Sequence, residues 1–259
     1  MENTKHKIDE LIRDGYDFKF GDYISQGFNI VNKNIGGFIG YTLVFYLIMI
    51  GLGIIPIIGS IALLVLIYPL MVGYYIVAHK INNGESVEFG NFFDGTKRIS
   101  DLLLLMGLLI VINIVAALPF FLVMGSTFME IIELSAEPMQ DPEEILALYS
   151  NMNFGLLFLT YIPMIYLSVA YTWAAPLVLF NNMRPWEAME ASRKVINKKW
   201  LWVFGFIVVM GFIGAAGAIL LLVGMLYTIP VYMCGMYAAY ADVIGVDNGE
   251  DDVIDHLVG

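Results

Sequence analysis

The chain has little charge, one cysteine and three histidines, and each of these shortages excludes a class of protein. Only 14% of its 259 residues are Asp, Glu, Lys or Arg, whereas a soluble domain has about 25%. The lone Cys234 excludes an intrachain disulfide bond. No HExxH, GxSxG or phosphate-binding glycine motif occurs, and no cysteine–histidine set has the spacing of a metal site. The sequence therefore predicts a protein that is not an enzyme and holds no metal or cofactor.

Four long segments contain no Asp, Glu, Lys or Arg at all. They are Asn34–Ala78, Leu102–Met129, Ile145–Met183 and Trp200–Ala241. A helix crosses the hydrocarbon core of a bilayer in about 20 residues. The first and last segments, with 45 and 42 residues, are each long enough for two crossings, and we assign one crossing to each of the others. We therefore predict an all-α polytopic transmembrane helical bundle with six spans.

The positive charges predict how this bundle is oriented. All 13 Lys and Arg residues lie in three patches, within residues 5–33, 80–98 and 184–199. Short loops rich in Lys and Arg stay on the cytoplasmic side of a membrane. With six spans the three patches and both termini share that side. The net charge of −11 and the lack of a domain-wide basic surface argue against nucleic acid as a partner.

This topology divides the chain, which we predict to be a single integral membrane domain, residues 1–259. Residues 1–33 form a cytoplasmic N-terminal segment, and residues 34–245 form the six-span bundle. The bundle includes an acidic outer loop, residues 125–153, which carries six acids and no Lys or Arg. Residues 246–259 form an acidic cytoplasmic tail.

Each pair of predicted spans follows a short segment with a one-sided apolar pattern. Apolar residues recur at helical spacing in the first of these segments, and shorter versions precede the other two pairs. The three sets are Phe20, Ile24, Phe28 and Val31; Phe89, Phe92 and Phe93; and Trp186, Met189, Ile196 and Trp200. The pattern predicts amphipathic interfacial helices on the cytoplasmic side. They serve either as anchors or for the recognition of specific lipids or of curvature.

The third of these segments carries five basic residues that we expect to contact anionic lipid headgroups. They are Arg184, Arg193, Lys194, Lys198 and Lys199. Each Lys or Arg close to such a surface contributes about 1 kcal/mol to binding. Membrane lipids are therefore the expected partners, together with other membrane proteins.

A second candidate region is a band of prolines and tyrosines within the spans. Proline kinks a helix and frees a backbone carbonyl, so tyrosine-rich spans could line a cavity or could pack in the ordinary way. The candidate cavity-lining residues are Asn113, Tyr166, Tyr171, Tyr232 and Tyr237. His79 and Asp242, near the ends of spans, are the residues that a membrane enzyme working at the cytoplasmic interface would use.

Two segments resemble a group of bacterial membrane proteins. Residues 21–37, GDYISQGFNIVNKNIGG, and residues 184–200, RPWEAMEASRKVINKKW, each lead into a predicted span. They resemble the YciC-like proteins and the membrane domain attached to some glycerophosphoryl diester phosphodiesterases. The resemblance implies a six-helix inner-membrane domain and supplies no catalytic residues. It does not transfer the phosphodiesterase activity, because the soluble domain that carries it has no counterpart here.

These observations favour one function over two others. We predict a non-enzymatic integral membrane protein that organises lipids or protein partners at the bacterial inner membrane. The alternative is a transporter or lipid-handling protein with a cavity between kinked, tyrosine-rich spans. The third hypothesis is the interfacial enzyme that would use His79 and Asp242.

Overall fold

The described part of the chain is all-α, as the sequence predicts. The computed structural model describes residues 2–136, 150, 153–220 and 223–246. Of these residues 86% are helical, and none of them lies in a strand. Most of the chain, residues 1–107 and 169–259, belongs to one compact unit, and residues 108–168 belong to a second.

Ten α-helices and two 3₁₀ segments are found in the described residues. In chain order they are α1 Glu2–Asp14, α2 Phe20–Lys33, α3 Ile35–Gly53, α4 Ile58–Asn82, a 3₁₀ segment Phe89–Arg98, α5 Ile99–Ala136, α6 Phe154–Ala170, α7 Ala174–Phe180, α8 Pro185–Asn197, α9 Trp200–Ala216, a 3₁₀ turn Gly217–Leu220 and α10 Met225–Val243.

Local sequence signals explain several helix boundaries. Asn34 separates α2 from α3 because its side chain accepts a hydrogen bond from the backbone N–H of Gly37, at 3.2 Å, and caps α3. Pro185 occupies the first turn of α8, where its missing N–H costs nothing. Gly15, with φ +77°, ends α1 in the left-handed region that glycine adopts most readily.

Five helical segments in the described residues are long and apolar enough to cross a membrane. They are Ile35–Gly53, Ile58–Asn82, Phe89–Gly125, Phe154–Phe180 and Trp200–Ile219. The first predicted segment thus contains two of these five candidate spans, as expected. The count of six is not confirmed, because α10 is not among the five. Four tyrosines and Asp242 lower the mean hydropathy of α10.

Helix α2 packs along α10 instead of standing apart from the bundle. Tyr23, Gly27, Ile30 and Val31 are buried, whereas the predicted apolar face also includes side chains that are only half-buried. The two helices run antiparallel, since the start of α2 contacts Asp242 near the end of α10 and Asn32 contacts Tyr227 near its beginning. The predicted interfacial position of α2 is therefore not confirmed.

The other two predicted interfacial segments also use apolar residues for internal packing. Phe92 of the 3₁₀ segment is buried and stacks on Tyr41 of α3, with ring centroids 4.5 Å apart. Met189 and Ile196 of α8 are buried as well. Only Trp186 of the third predicted set is strongly exposed, at 60%. Apolar residues at helical spacing indicate that one face of a segment is covered. In these segments other parts of the protein cover much of that face.

Burial is unevenly distributed along α4 and separates an outward-facing half from a packed half. Ile58, Ile61 and Leu64 are exposed near the beginning of the helix. From Pro69 to Ile81 most side chains are buried against neighbouring helices. The apolar first half is therefore suited to contact lipid, and the second half belongs to the protein core.

The second unit, residues 108–168, contains most of α5 and α6. Phe120 and Tyr161 contact each other edge to face, with ring centroids 5.0 Å apart, while Leu122 is 83% exposed. Helix α5 has 38 residues and is therefore about 57 Å long. It continues to Ala136, so the beginning of the predicted loop 125–153 is helical. The rest of that loop lies outside the described residues, except for residues 150 and 153.

We predict that Gly27→Ala destabilises the protein. A Cβ atom at Gly27 would lie 2.8 Å from the carbonyl oxygen of Val231 and 3.0 Å from the Cα of Gly235. Both are backbone atoms that cannot turn away, and overpacking of this kind costs about 1–3 kcal/mol. The measurement is thermal unfolding in detergent. Gly21→Ala is the matched control on the same helix, because nothing lies within 4 Å of its added Cβ. Equal stability of the two variants would contradict the close packing.

Candidate functional site

Polar side chains from two helices and one connecting segment lie around the last turns of α10. Tyr237, Tyr240 and Asp242 belong to α10 itself. His79 lies in the last turn of α4, and Asn181 follows α7; both are buried, with 3% of each residue exposed. We call these five residues the polar cluster. His79 and Tyr237 are 158 positions apart in the sequence.

The first link in the polar cluster is the His79 ring, in which both nitrogens are hydrogen-bonded. Nδ1 lies 2.9 Å from the hydroxyl of Tyr237, and Nε2 lies 3.0 Å from the amide nitrogen of Asn83. An amide nitrogen can only donate, and that of Asn83 donates both to Nε2 and to the carboxylate of Glu85. The neutral tautomer that fits this arrangement carries its hydrogen on Nδ1 and donates it to Tyr237. Phe180 of α7 packs against the ring, with centroids 5.0 Å apart.

A buried lysine lies next to His79 along α4. Lys80 is only 8% exposed, and its ammonium lies 3.2 Å from the second carboxylate oxygen of Glu85. Glu85 thus accepts from Lys80 with one oxygen and from Asn83 with the other. A buried lysine without such a partner would be strongly destabilising. The pair therefore supports the loop after α4 and the position of the Asn83 amide.

The second link in the polar cluster connects α10 to the N-terminal helix. The Tyr240 hydroxyl donates to the side-chain oxygen of Asn181. The amide nitrogen of Asn181 donates to the hydroxyl of Thr4 on α1, at 3.2 Å. Thr4 is itself buried. Helix α1, which the sequence analysis did not distinguish from the rest of the N-terminal segment, is thereby fixed to the core.

The third link connects Asp242 to the beginning of α2. The Tyr23 hydroxyl donates to one carboxylate oxygen at 2.7 Å, and the Lys19 ammonium donates to the other at 2.9 Å. The hydrogen bond to this carboxylate is the main cause that raises the pKa of Lys19 above its ordinary value. Burial is the main cause that raises the pKa of Tyr23 above its ordinary value, and the hydrogen bond to Asp242 raises it further.

The structure gives His79 and Asp242 separate partners. His79 bonds to Tyr237 and Asn83, and Asp242 bonds to Lys19 and Tyr23. Within the described ranges, no group of three or more His, Cys, Asp or Glu side chains could hold a metal ion. The contacts seen for these two side chains are structural, and they fasten α10 to α2 and α4.

The five predicted cavity-lining residues divide between the two units. Asn113 and Tyr166 lie in the second unit, and Tyr171, Tyr232 and Tyr237 lie in the first. Asn113 donates to the carbonyl oxygen of Leu109 in its own helix, at 2.8 Å. Tyr237 bonds to His79, and Tyr232 packs against Gly214. These are contacts of helix packing, and the cavity stays a prediction.

The five basic residues predicted to contact headgroups fall into two classes. Arg193 and Lys194 are each paired with Glu190, at 2.7 Å and 3.5 Å, and the hydrogen bond from Arg193 is the main cause that lowers the pKa of Glu190. Arg184, Lys198 and Lys199 have no ion pair with a carboxylate in the described ranges. We call these three residues the basic surface. Arg184 and Lys198 are exposed, and Lys199 is half-exposed.

Sequence reasoning missed Asn181, Thr4 and the helix that carries Thr4. The only sequence signal was local: tyrosines three residues apart, followed by an aspartate, at the end of the last apolar segment. Such a pattern indicates that polar groups on one side of a helix need partners. It does not indicate which distant residues supply them.

We predict that Tyr237→Phe lowers the free energy of unfolding by about 1–3 kcal/mol, the usual cost of depriving a buried polar group of its partner. The variant removes only the hydroxyl that bonds to His79. The control is Tyr227→Phe, because its hydroxyl bonds to Asn32 at an exposed position, at 2.8 Å. Reaction of the buried thiol of Cys234 during heating reports unfolding. A Tyr237 variant as stable as the control would contradict a stabilising role for this bond.

The meaning of the polar cluster has to be taken from the chain itself. No protein-family model, curated protein or solved structure matches the sequence. The resemblance to the YciC-like group stays a prediction, which nothing supports or contradicts. The firm conclusion is that this is an all-α chain with several helices suited to span a membrane.

Proposed function

We propose that this chain is a non-enzymatic, multi-pass protein of the bacterial cytoplasmic membrane that organises anionic lipids or protein partners through helix α8. Helix α8 and the residues that flank it support the proposal. Ala188, Met189, Val195 and Ile196 are buried within the protein. Trp186 is 60% exposed, and the basic surface, at Arg184 before the helix and Lys198 and Lys199 after it, has no ion pair with a carboxylate in the described residues. These exposed side chains on and beside α8 are the observation on which the proposal rests.

The basic side chains lie at the two ends of α8. Arg184 immediately precedes the helix and Lys198 immediately follows it. Helix α8 is 13 residues long, or about 20 Å, so several headgroups can be contacted at once. A tryptophan such as Trp186 is typical of the interface between headgroups and hydrocarbon.

The polar cluster supports a structural role over a catalytic one. Its hydrogen bonds join α10 to α1, α2 and α4, and both nitrogens of His79 take part in them. A general base needs a lone pair that a substrate can reach. The ring of His79 is buried and held in place, which fits a helix lock better than a proton acceptor.

We further propose that α10 is a sixth span, which would place both termini on the cytoplasmic side. The helix has 19 residues, and at about 28 Å it nearly matches the hydrocarbon thickness. Its tyrosines lower its hydropathy, but lipid does not contact side chains that protein covers. Residues 233–240 of α10 are buried, and Tyr237 and Tyr240 bond inside the protein.

Cysteine accessibility distinguishes five spans from six. Three variants are made in a Cys234→Ala background, each with one thiol outside the spans. Asp9→Cys lies before the first span, Ser86→Cys between the second and the third, and Asp251→Cys after the last. Asp9 and Ser86 are exposed. With six spans we expect a membrane-impermeant maleimide to label all three from the same side of sealed vesicles. Labelling of position 251 from the side opposite to position 9 would establish an odd number of spans and contradict the proposed topology.

The lipid proposal predicts that replacing Arg184, Lys198 and Lys199 together by Gln weakens binding of phosphatidylglycerol. Each charge contributes about 1 kcal/mol, so the loss is about tenfold to 100-fold. The measurement is the affinity for labelled phosphatidylglycerol in mixed micelles of an uncharged detergent, with phosphatidylcholine as reference.

The matched control replaces Arg13, Lys97 and Lys194 by Gln. It removes the same charge, but these side chains are paired with Asp14, Asp94 and Glu190. We expect it to lose much less affinity. Equal losses in the two triple variants would show that net charge alone governs the binding and would refute a specific role for the basic surface.

A further inference from the structure

The end of α10 emerges next to a lysine of the N-terminal helix. Gly245, with φ +82°, follows α10. A Cβ atom at this position would lie 2.7 Å from the ammonium nitrogen of Lys7, so Lys7 lies directly against the chain there. The described part of the chain ends at the next residue, Val246, and residues 247–259 follow in the sequence.

Helix α1 connects this point to α8. Lys7 contacts Gly245, and Lys5, two positions earlier, lies 3.7 Å from the carboxylate of Glu187 in the first turn of α8. Thr4 bonds to Asn181, shortly before α8 begins. The end of α10 and the beginning of α8 are therefore both within reach of a single short helix.

The charges on the two sides are opposite. Residues 247–259 contain five acids and no Lys or Arg; the acids are Asp247, Glu250, Asp251, Asp252 and Asp255. The basic surface, Arg184, Lys198 and Lys199, has no acidic partner in the described part of the chain. Arg193 and Lys194, which lie between them on α8, share Glu190. The three residues of the basic surface, which flank α8, are thus the ones open to another anion.

The acidic segment is long enough to reach along α8. Its 13 residues can extend over at most about 43 Å. Helix α8 is about 20 Å long. A segment joined to the protein through so short a connection has an effective concentration on the order of millimolar. Individually weak surface ion pairs are then sufficient for partial occupancy.

We propose that residues 247–259 bind the basic surface of α8 and compete there with anionic lipid headgroups. The competition rests on the proposed lipid function; the intramolecular contact does not. Acid side chains would occupy Arg184, Lys198 and Lys199 when anionic lipid is scarce, and phosphate groups would displace them when it is abundant. The acidic segment would thus set the lipid content at which the protein engages the membrane surface.

The lipid experiment uses the full chain with the five acids of this segment replaced by Asn or Gln. We expect its affinity for phosphatidylglycerol to rise about threefold to tenfold in low salt, and the gain to shrink in high salt because screening weakens exposed charges. In the Arg184/Lys198/Lys199→Gln background the same replacement should give no gain. Equal gains in both backgrounds, or no gain in either, would overturn the competition.

A matched control excludes an effect of net charge. Five acids between the second and third patches of positive charge, Glu133, Glu137, Asp141, Glu143 and Glu144, are neutralised in the same way. This variant changes the net charge by the same amount as the tail variant, and we expect its affinity to stay within about twofold of the natural sequence. A rise equal to that of the tail variant would overturn the proposal.

Zero-length carbodiimide cross-linking tests the contact without lipid. We expect peptides from residues 247–259 joined to Lys198 or Lys199, and much less coupling to the exposed Lys33 at the end of α2. Absence of the α8 cross-links would overturn the contact. Cross-links in a protein that does not prefer phosphatidylglycerol would refute the lipid function and the competition while leaving the intramolecular contact established.

Discussion

Helix α10 imposes the constraint on which the rest of the first unit depends. It carries four tyrosines and an aspartate in a chain that is otherwise built for an apolar environment. Buried polar groups must find hydrogen-bond partners, because an unpartnered one costs free energy comparable to the loss of a bond. His79, Asn181, Tyr23 and Lys19 meet this requirement, and each comes from a different helix or connection. Four neighbouring segments are therefore positioned by the polar side chains of one helix.

Close approach of backbones makes this arrangement possible. Gly27 of α2 lies against the backbone of α10 at Val231 and Gly235, and the tip of Met210 also lies at Gly235. Without side chains at these glycines, the helices come near enough for Tyr23 and Lys19 to reach Asp242. The N-terminal segment is therefore a structural part of the bundle.

The positive charges then separate into two kinds. Lys19, Lys80 and Arg193 each have a carboxylate partner within the chain. The basic surface has no such partner in the ranges that the structure describes, and its residues flank α8, one side of which is buried. A charge without an internal partner is available to lipid or to another part of the chain. The distinction separates the residues that stabilise the fold from those that could act on the membrane.

The sequence by itself determined the all-α class, the division of residues 34–78 into two helices and the amphipathic nature of the segments before the spans. These follow from composition and periodicity, which are local properties. The tertiary structure decided what covers each apolar face, and it showed that α10 contacts α2 where the periodicity suggested lipid. It also decided the partners of His79 and Asp242, which lie on helices remote in sequence. Periodicity reports that a face is covered, but only packing in three dimensions selects the covering partner.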